Sequence, residues 1–139
     1  MPTATATENK KVTSDAPKRA TLDGLLSKKP TRLEFTAALG DDGDELSFLF
    51  VALGARPYDA LLTKHPPTAE QKINGATFNT DTFAPALLAM VCVDPDIDTK
   101  GWASIWTADN WNRGEVSALF WQAVELCNQR VDINPTKAG

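Results

Sequence analysis

From Thr31 to Thr36 the side chains alternate, with Leu33 and Phe35 on one side and Arg32, Glu34 and Thr36 on the other. This is the period-2 pattern of a half-buried strand. A second alternation sets Leu46, Phe48 and Phe50 against Ser47, Leu49 and Val51, after the turn sequence GDDGDE at 40–45. The pair predicts an antiparallel hairpin over residues 31–39 and 45–52. The period then lengthens. Pro57 suits a first helical turn, and Tyr58, Leu61, Leu62 and His65 recur on one helical face until His65-Pro66-Pro67 ends it. Residues 68–77 read as loop.

The next helix is predicted to start near Thr80 or Asp81, either of which can cap it, with Pro85 tolerated in the first turn. From Ala84 to Val93 no polar side chain appears. A helix without a polar face is surrounded by protein, so this segment is expected to be the hub of the fold, closed by Asp94-Pro95. Thr99 to Thr107 reads as a short helix with Trp102, Ile105 and Trp106 on one side. In the last helix Asn112 and Glu115 have capping-box spacing, and Val116, Leu119, Phe120, Ala123, Val124 and Cys127 form an amphipathic stripe. Trp121 lies off that stripe. The predicted class is α+β and mostly helical, an N-terminal β-hairpin followed by a bundle of about four helices.

Upstream, residues 1–18 are rich in Thr, Ala, Lys and Pro with little to bury and are expected to be disordered. Thr21 can cap a short helix over Leu22–Lys28, weakened by Gly24 and ended by Pro30. The organisation expected is a disordered basic arm over 1–30, one globular domain over 31–130 and a frayed tail over 131–139. A chain of 139 residues, 42% hydrophobic and 23% charged, fits one domain with one core. The ten-residue apolar run from Ala84 is too short to span a membrane, which takes about 20 residues. No apolar leader follows MPTATATENKK, so a cytoplasmic protein is expected.

The net charge of −4 hides an asymmetry: seven basic and three acidic residues over 1–32, seven basic and fifteen acidic over the rest. A solvated arm is the expectation. The acidic body argues against nucleic acid as a partner, since phosphate binding needs a basic surface. Cys92 and Cys127 both fall on segments read as helical and are expected to be buried and reduced.

Asp94, Asp96 and Asp98 imitate the start of a calcium loop. Such a loop needs glycine at its sixth position and glutamate at its twelfth, where this chain has Thr99 and Ile105. Asp96 and Asp98 are expected instead to favour the following helix through its caps and dipole. Asp41, Asp42, Asp44 and Glu45 are expected to be solvated in the turn. His65, the single histidine, has no serine or cysteine in a nucleophile elbow to serve, and its place at a helix end suits bonding to free carbonyls. No phosphate-binding glycine motif occurs. A non-enzymatic protein without metal or cofactor is expected. Trp102, Trp106, Trp111 and Trp121 lie within twenty residues and are candidates for partner binding, either as the outer wall of the core or as a recognition face, with Trp121 foremost.

These residues resemble the tail assembly chaperones of long-tailed actinobacterial phages over about 31–130. The resemblance rests on the hairpin and on Tyr58, Leu61, Leu62 and His-Pro-Pro-Thr at 65–68. It continues with Gln71, then Phe78, Asn79, Asp81, Thr82 and Phe83, then the Ala/Leu-rich helix with Cys92, and Trp111, Arg113, Gly114 and Glu115. It implies a small, mostly helical protein of the host cytoplasm that binds the tape-measure protein, possible self-association, and recruitment of tail-tube subunits before it leaves the particle. A longer frameshifted form is common in that class. The motif implies structural roles for His65, Asn79, Asp81, Asn112 and Glu115. The alternative is a virion component of the tail tube or head–tail connector, and a third reading is a small nucleic-acid-binding regulator using residues 10–32.

Overall fold

The structure, a computed structural model, describes residues 17–135. Most of the expected disordered arm, and the last four residues of the expected tail, lie outside the described residues. The described part is mixed, with six α-helices and a three-stranded antiparallel sheet in the order β1-β2-β3.

A short helix α1 (Leu22–Leu26) begins at Thr21, whose hydroxyl accepts from the Gly24 amide, and its three leucines are exposed. Strand β1 (Arg32–Ala38) pairs antiparallel with β2 (Glu45–Val51), Phe35 standing opposite Phe48 and Leu33 opposite Phe50. A single 3-10 turn over Asp41–Gly43 joins them, with Asp42 and Gly43 both at positive φ (54° and 80°). Glycine takes that backbone at no steric cost, which is why GDDGDE can turn so tightly. Phe48 and Phe50 are buried, and Phe35 stacks on the first at 5.4 Å and meets the second edge-on at 4.8 Å.

Helix α2 (Ala55–Thr63) ends before His65. The segment 68–77 is not all loop. Thr68 and Gln71 form a capping box that starts α3 (Ala69–Ile73). The spacing Thr-x-x-Gln was the local signal for it, and the polar, short run that follows gave no apolar period to reinforce it. Helix α4 (Thr80–Val91) is capped by Asn79, and not by the expected Thr80 or Asp81. Pro85 is its sixth residue, beyond the first turn, so the carbonyl of Asp81 receives no amide from that position; Asp81 is exposed, and water can take its place.

The hub expectation holds for the body of α4, where Phe83 through Leu88 and Val91 are buried. It fails at the end. The helix stops at Val91, and Cys92–Asp94 form β3, pairing with Leu49 and Phe50 of β2. Asp94 precedes proline and is driven to extended backbone, while the free edge of β2 offers the hydrogen bonds that a further helical turn would otherwise supply. The face is not apolar to protein all round either, because Met90 is 47% exposed.

Helix α5 (Thr99–Trp106) starts at Asp98, whose carboxylate accepts from the Gly101 amide at 2.8 Å. Helix α6 (Arg113–Cys127) carries the capping box of Asn112 and Glu115 as expected. Its buried residues are Val116, Leu119, Phe120, Ala123 and Leu126; Leu126 replaces Val124 and Cys127, which are only partly buried. Helix α4 is the centre of contact, touching α2, α5, α6 and β3. Cys92 sits on β3 and not on a helix. Its thiol is buried and donates to the Pro95 carbonyl at 3.2 Å, while Cys127 accepts from the Leu53 amide at 3.4 Å; both are free. No described helix is long and apolar enough to cross a membrane.

Candidate functional site

The residues that carry the motif converge on two small constructions around the start of α4. In the first, the Asn79 carboxamide oxygen accepts from the Asp81 amide and from the Gln71 side chain, both at 3.1 Å. Gln71 also accepts from the Thr68 amide at 2.9 Å, and the Asn79 amide donates to the His65 carbonyl at 2.9 Å. One asparagine thus ties the end of α2, the cap of α3 and the start of α4. In the second, Phe83, fully enclosed, receives the rings of Tyr58 at 5.8 Å, His65 at 6.2 Å, Phe78 at 5.0 Å and Phe120 at 6.0 Å, all steeply inclined to it. Such edge-to-face pairs set the positive rim of one ring on the negative face of another. The expectation that the His65 ring serves free helix carbonyls gives way to this packing: what reaches back to α2 is its backbone amide, donating to Leu62 at 3.0 Å. Asp81 is exposed in the first turn of α4, where the helix dipole favours a carboxylate.

The tryptophans separate. Trp102 is 2% exposed and belongs to the core. Its indole Nε1 is buried without a hydrogen-bond partner among the described residues, a feature that costs on the order of 1–3 kcal/mol. Trp106 and Trp111 are half-buried against the core, Trp106 edge-on to Phe120 at 6.0 Å. Trp121 is 56% exposed, its ring 5.0 Å from that of Phe120. Consecutive positions on one helix point in different directions, which is why Phe120 enters the core and Trp121 leaves it.

An apolar groove of about 370 Å³ opens between the start of β2 and α5. Its walls are Leu46 and Phe48 from β2, Pro95 and Ile97 from the segment after β3, and Ile105 and Trp111, with Trp102 in the floor. Gly101 makes room for Ile97: a Cβ there would lie 2.5 Å from the Ile97 Cγ2. Leu46, Ile97 and the open edge of β2 were not foreseen as a surface, because a helix running to Val93 would have left no β3 to define that edge. Among the described residues no group of three or more His, Cys, Asp or Glu side chains is placed to hold a metal ion. Asp98 caps α5, and Asp94 lies on the groove wall.

Burial sets the chemistry of both thiols. It pushes Cys92 up to about 11 from an ordinary 9.0, and raises Cys127 as well, so neither is primed as a thiolate nucleophile at neutral pH. Compared with known proteins, the chain matches no protein-family model, no curated protein and no solved structure.

Proposed function

We propose that this chain is a tail assembly chaperone of a long-tailed actinobacterial phage, acting in the bacterial host cytoplasm without catalysis. In this reading it binds the tape-measure protein, keeps it soluble and brings tail-tube subunits to it. Residues 31–130 are the working domain, β1 and β2 its hairpin, and α2, α4, α5 and α6 its bundle. The motif from Tyr58 to Glu115 supports the family. The observation that carries the binding role is Trp121, a large ring left 56% exposed on a helix whose neighbouring Phe120 is enclosed. Binding energy concentrates in a few such anchors, tryptophan foremost. Trp106 and Trp111 add partly exposed area.

Co-expression tests the reading. The tape-measure protein is expected to stay soluble with the natural chain and to aggregate alone or with the Trp121→Ala form. The substitution should weaken binding by about 2 kcal/mol, as for an interface anchor, while leaving the fold intact because the ring is outside the core. Equal solubility in all three cases refutes the chaperone role. Abundance of the chain in purified particles would instead favour a structural component of the tail tube or connector.

A further inference from the structure

The hydrogen-bonding edge of β2 is only partly used. Thr31 and Ala52 stand opposite each other in the β1–β2 register, and the Ala52 amide donates to the Thr31 carbonyl at 2.8 Å. Bonded and non-bonded pairs alternate along an antiparallel ladder, so residues 50, 48 and 46 of β2 turn their backbone groups to β1, while 49, 47 and 45 turn theirs the other way. Strand β3 meets Leu49 and Phe50 and goes no further. Pro95 then follows, and proline cannot donate to a ladder. The amides and carbonyls of Glu45 and Ser47 therefore face outward with no strand beside them, and no other backbone bond among the described residues takes them. Both residues are exposed.

This open edge borders the apolar groove, whose wall includes Ser47 itself. A strand laid in line with β3 would place alternate side chains against Phe48, Ile97, Ile105 and Trp111. The surroundings are acidic. Asp94 is the one charged residue lining the groove, and along the chain Asp44, Asp96 and Asp109 stand within two residues of a lining residue, against Lys100 and Arg113. We infer that this edge and groove bind an extended apolar segment of another protein, flanked by lysine or arginine, by adding it to the sheet as a fourth strand. Main-chain bonds to Glu45 and Ser47 supply the pairing, the groove selects alternate apolar side chains, and the carboxylates select cationic flanks. A second copy of this chain is disfavoured as occupant, since a symmetric pairing would oppose two acidic rims. The inference does not depend on the tape-measure protein being the partner.

The probe is a short synthetic peptide in which valine and threonine alternate between terminal lysine pairs. Binding is followed by tryptophan fluorescence and by the amide resonance of Ser47. Saturable binding that weakens with salt is expected, with a downfield shift of the Ser47 amide. The same peptide N-methylated at the amides facing β2 should bind at least tenfold more weakly, as should the unmodified peptide to Trp111→Ala. Ser47→Ala, which keeps the backbone donor, should bind as the natural chain does, and a folded Ser47→Pro should not. If Ser47→Pro does not fold, the N-methylated peptide on the natural chain decides the matter. Equal binding of the N-methylated peptide, no saturable binding of the extended one, preference for an amphipathic helical peptide, or dimerisation of the chain through the groove each overturns the inference. Failure here leaves the co-expression result untouched, so the two readings can fall separately.

Discussion

Replacing Asn79 by alanine removes one side-chain oxygen that serves two partners. As the cap of α4 it accepts from the Asp81 amide, and such an acceptor contributes about 1 kcal/mol. It also accepts from the half-buried Gln71 side chain at 3.1 Å, worth about 1 kcal/mol more. The backbone bond from Asn79 to the His65 carbonyl survives the change, because it involves no side-chain atom. The expected loss is therefore about 2 kcal/mol. Asn79→Asp retains both accepting functions and adds a charge favourable to the helix dipole, so it should stay within about 0.5 kcal/mol of the natural chain. Urea unfolding followed by circular dichroism measures all three proteins, with unchanged slopes as the sign that only stability has moved. Gln71→Ala completes a double-mutant cycle, for which a coupling of about 1 kcal/mol is expected if the two side chains meet as described. A loss below about 0.5 kcal/mol for Asn79→Ala, or no coupling in the cycle, would refute the view that this asparagine ties three helices together.

Two further outcomes follow from burial. Leu87→Ala, at a fully enclosed position of α4, should cost about 2–5 kcal/mol in the same assay, whereas Met90→Ala, three residues on and 47% exposed, should cost about 1 kcal/mol or less; equal costs would remove α4 from the centre of the core. Cys92 keeps its proton to about pH 11 in the folded chain but loses it near 9.0 when unfolded, so the folded state binds the proton more tightly in that window. Its contribution is complete below pH 9.0 and is lost as pH rises toward 11, and the stability of the natural chain relative to Cys92→Ala should fall across that interval in urea titrations at successive pH values.

The sequence by itself determined whatever depends on near neighbours along the chain. Alternation at Leu33–Phe35 and Phe48–Phe50 located β1 and β2, because a strand buries every second residue whatever it packs against. Asn112 with Glu115 fixed the start of α6, since both hydrogen bonds close within one turn. The Thr68–Gln71 box is equally local and follows the same rule, but with no apolar period after it residues 68–77 carry the pattern of a loop. Tertiary structure alone decided the rest. Val91-Cys92-Val93 is as apolar as the helix before it, and although Pro95 marks an end nearby, it is the pairing with the vacant edge of β2 that makes the last residues a strand. Trp102 and Trp121 are the same residue type on amphipathic helices, yet one is enclosed against α4 and α6 and the other stands in solvent. Which face of a helix is covered depends on partners distant in sequence, and the groove beside Ser47 exists only because β3 stops where it does, a fact held by no single segment of the chain.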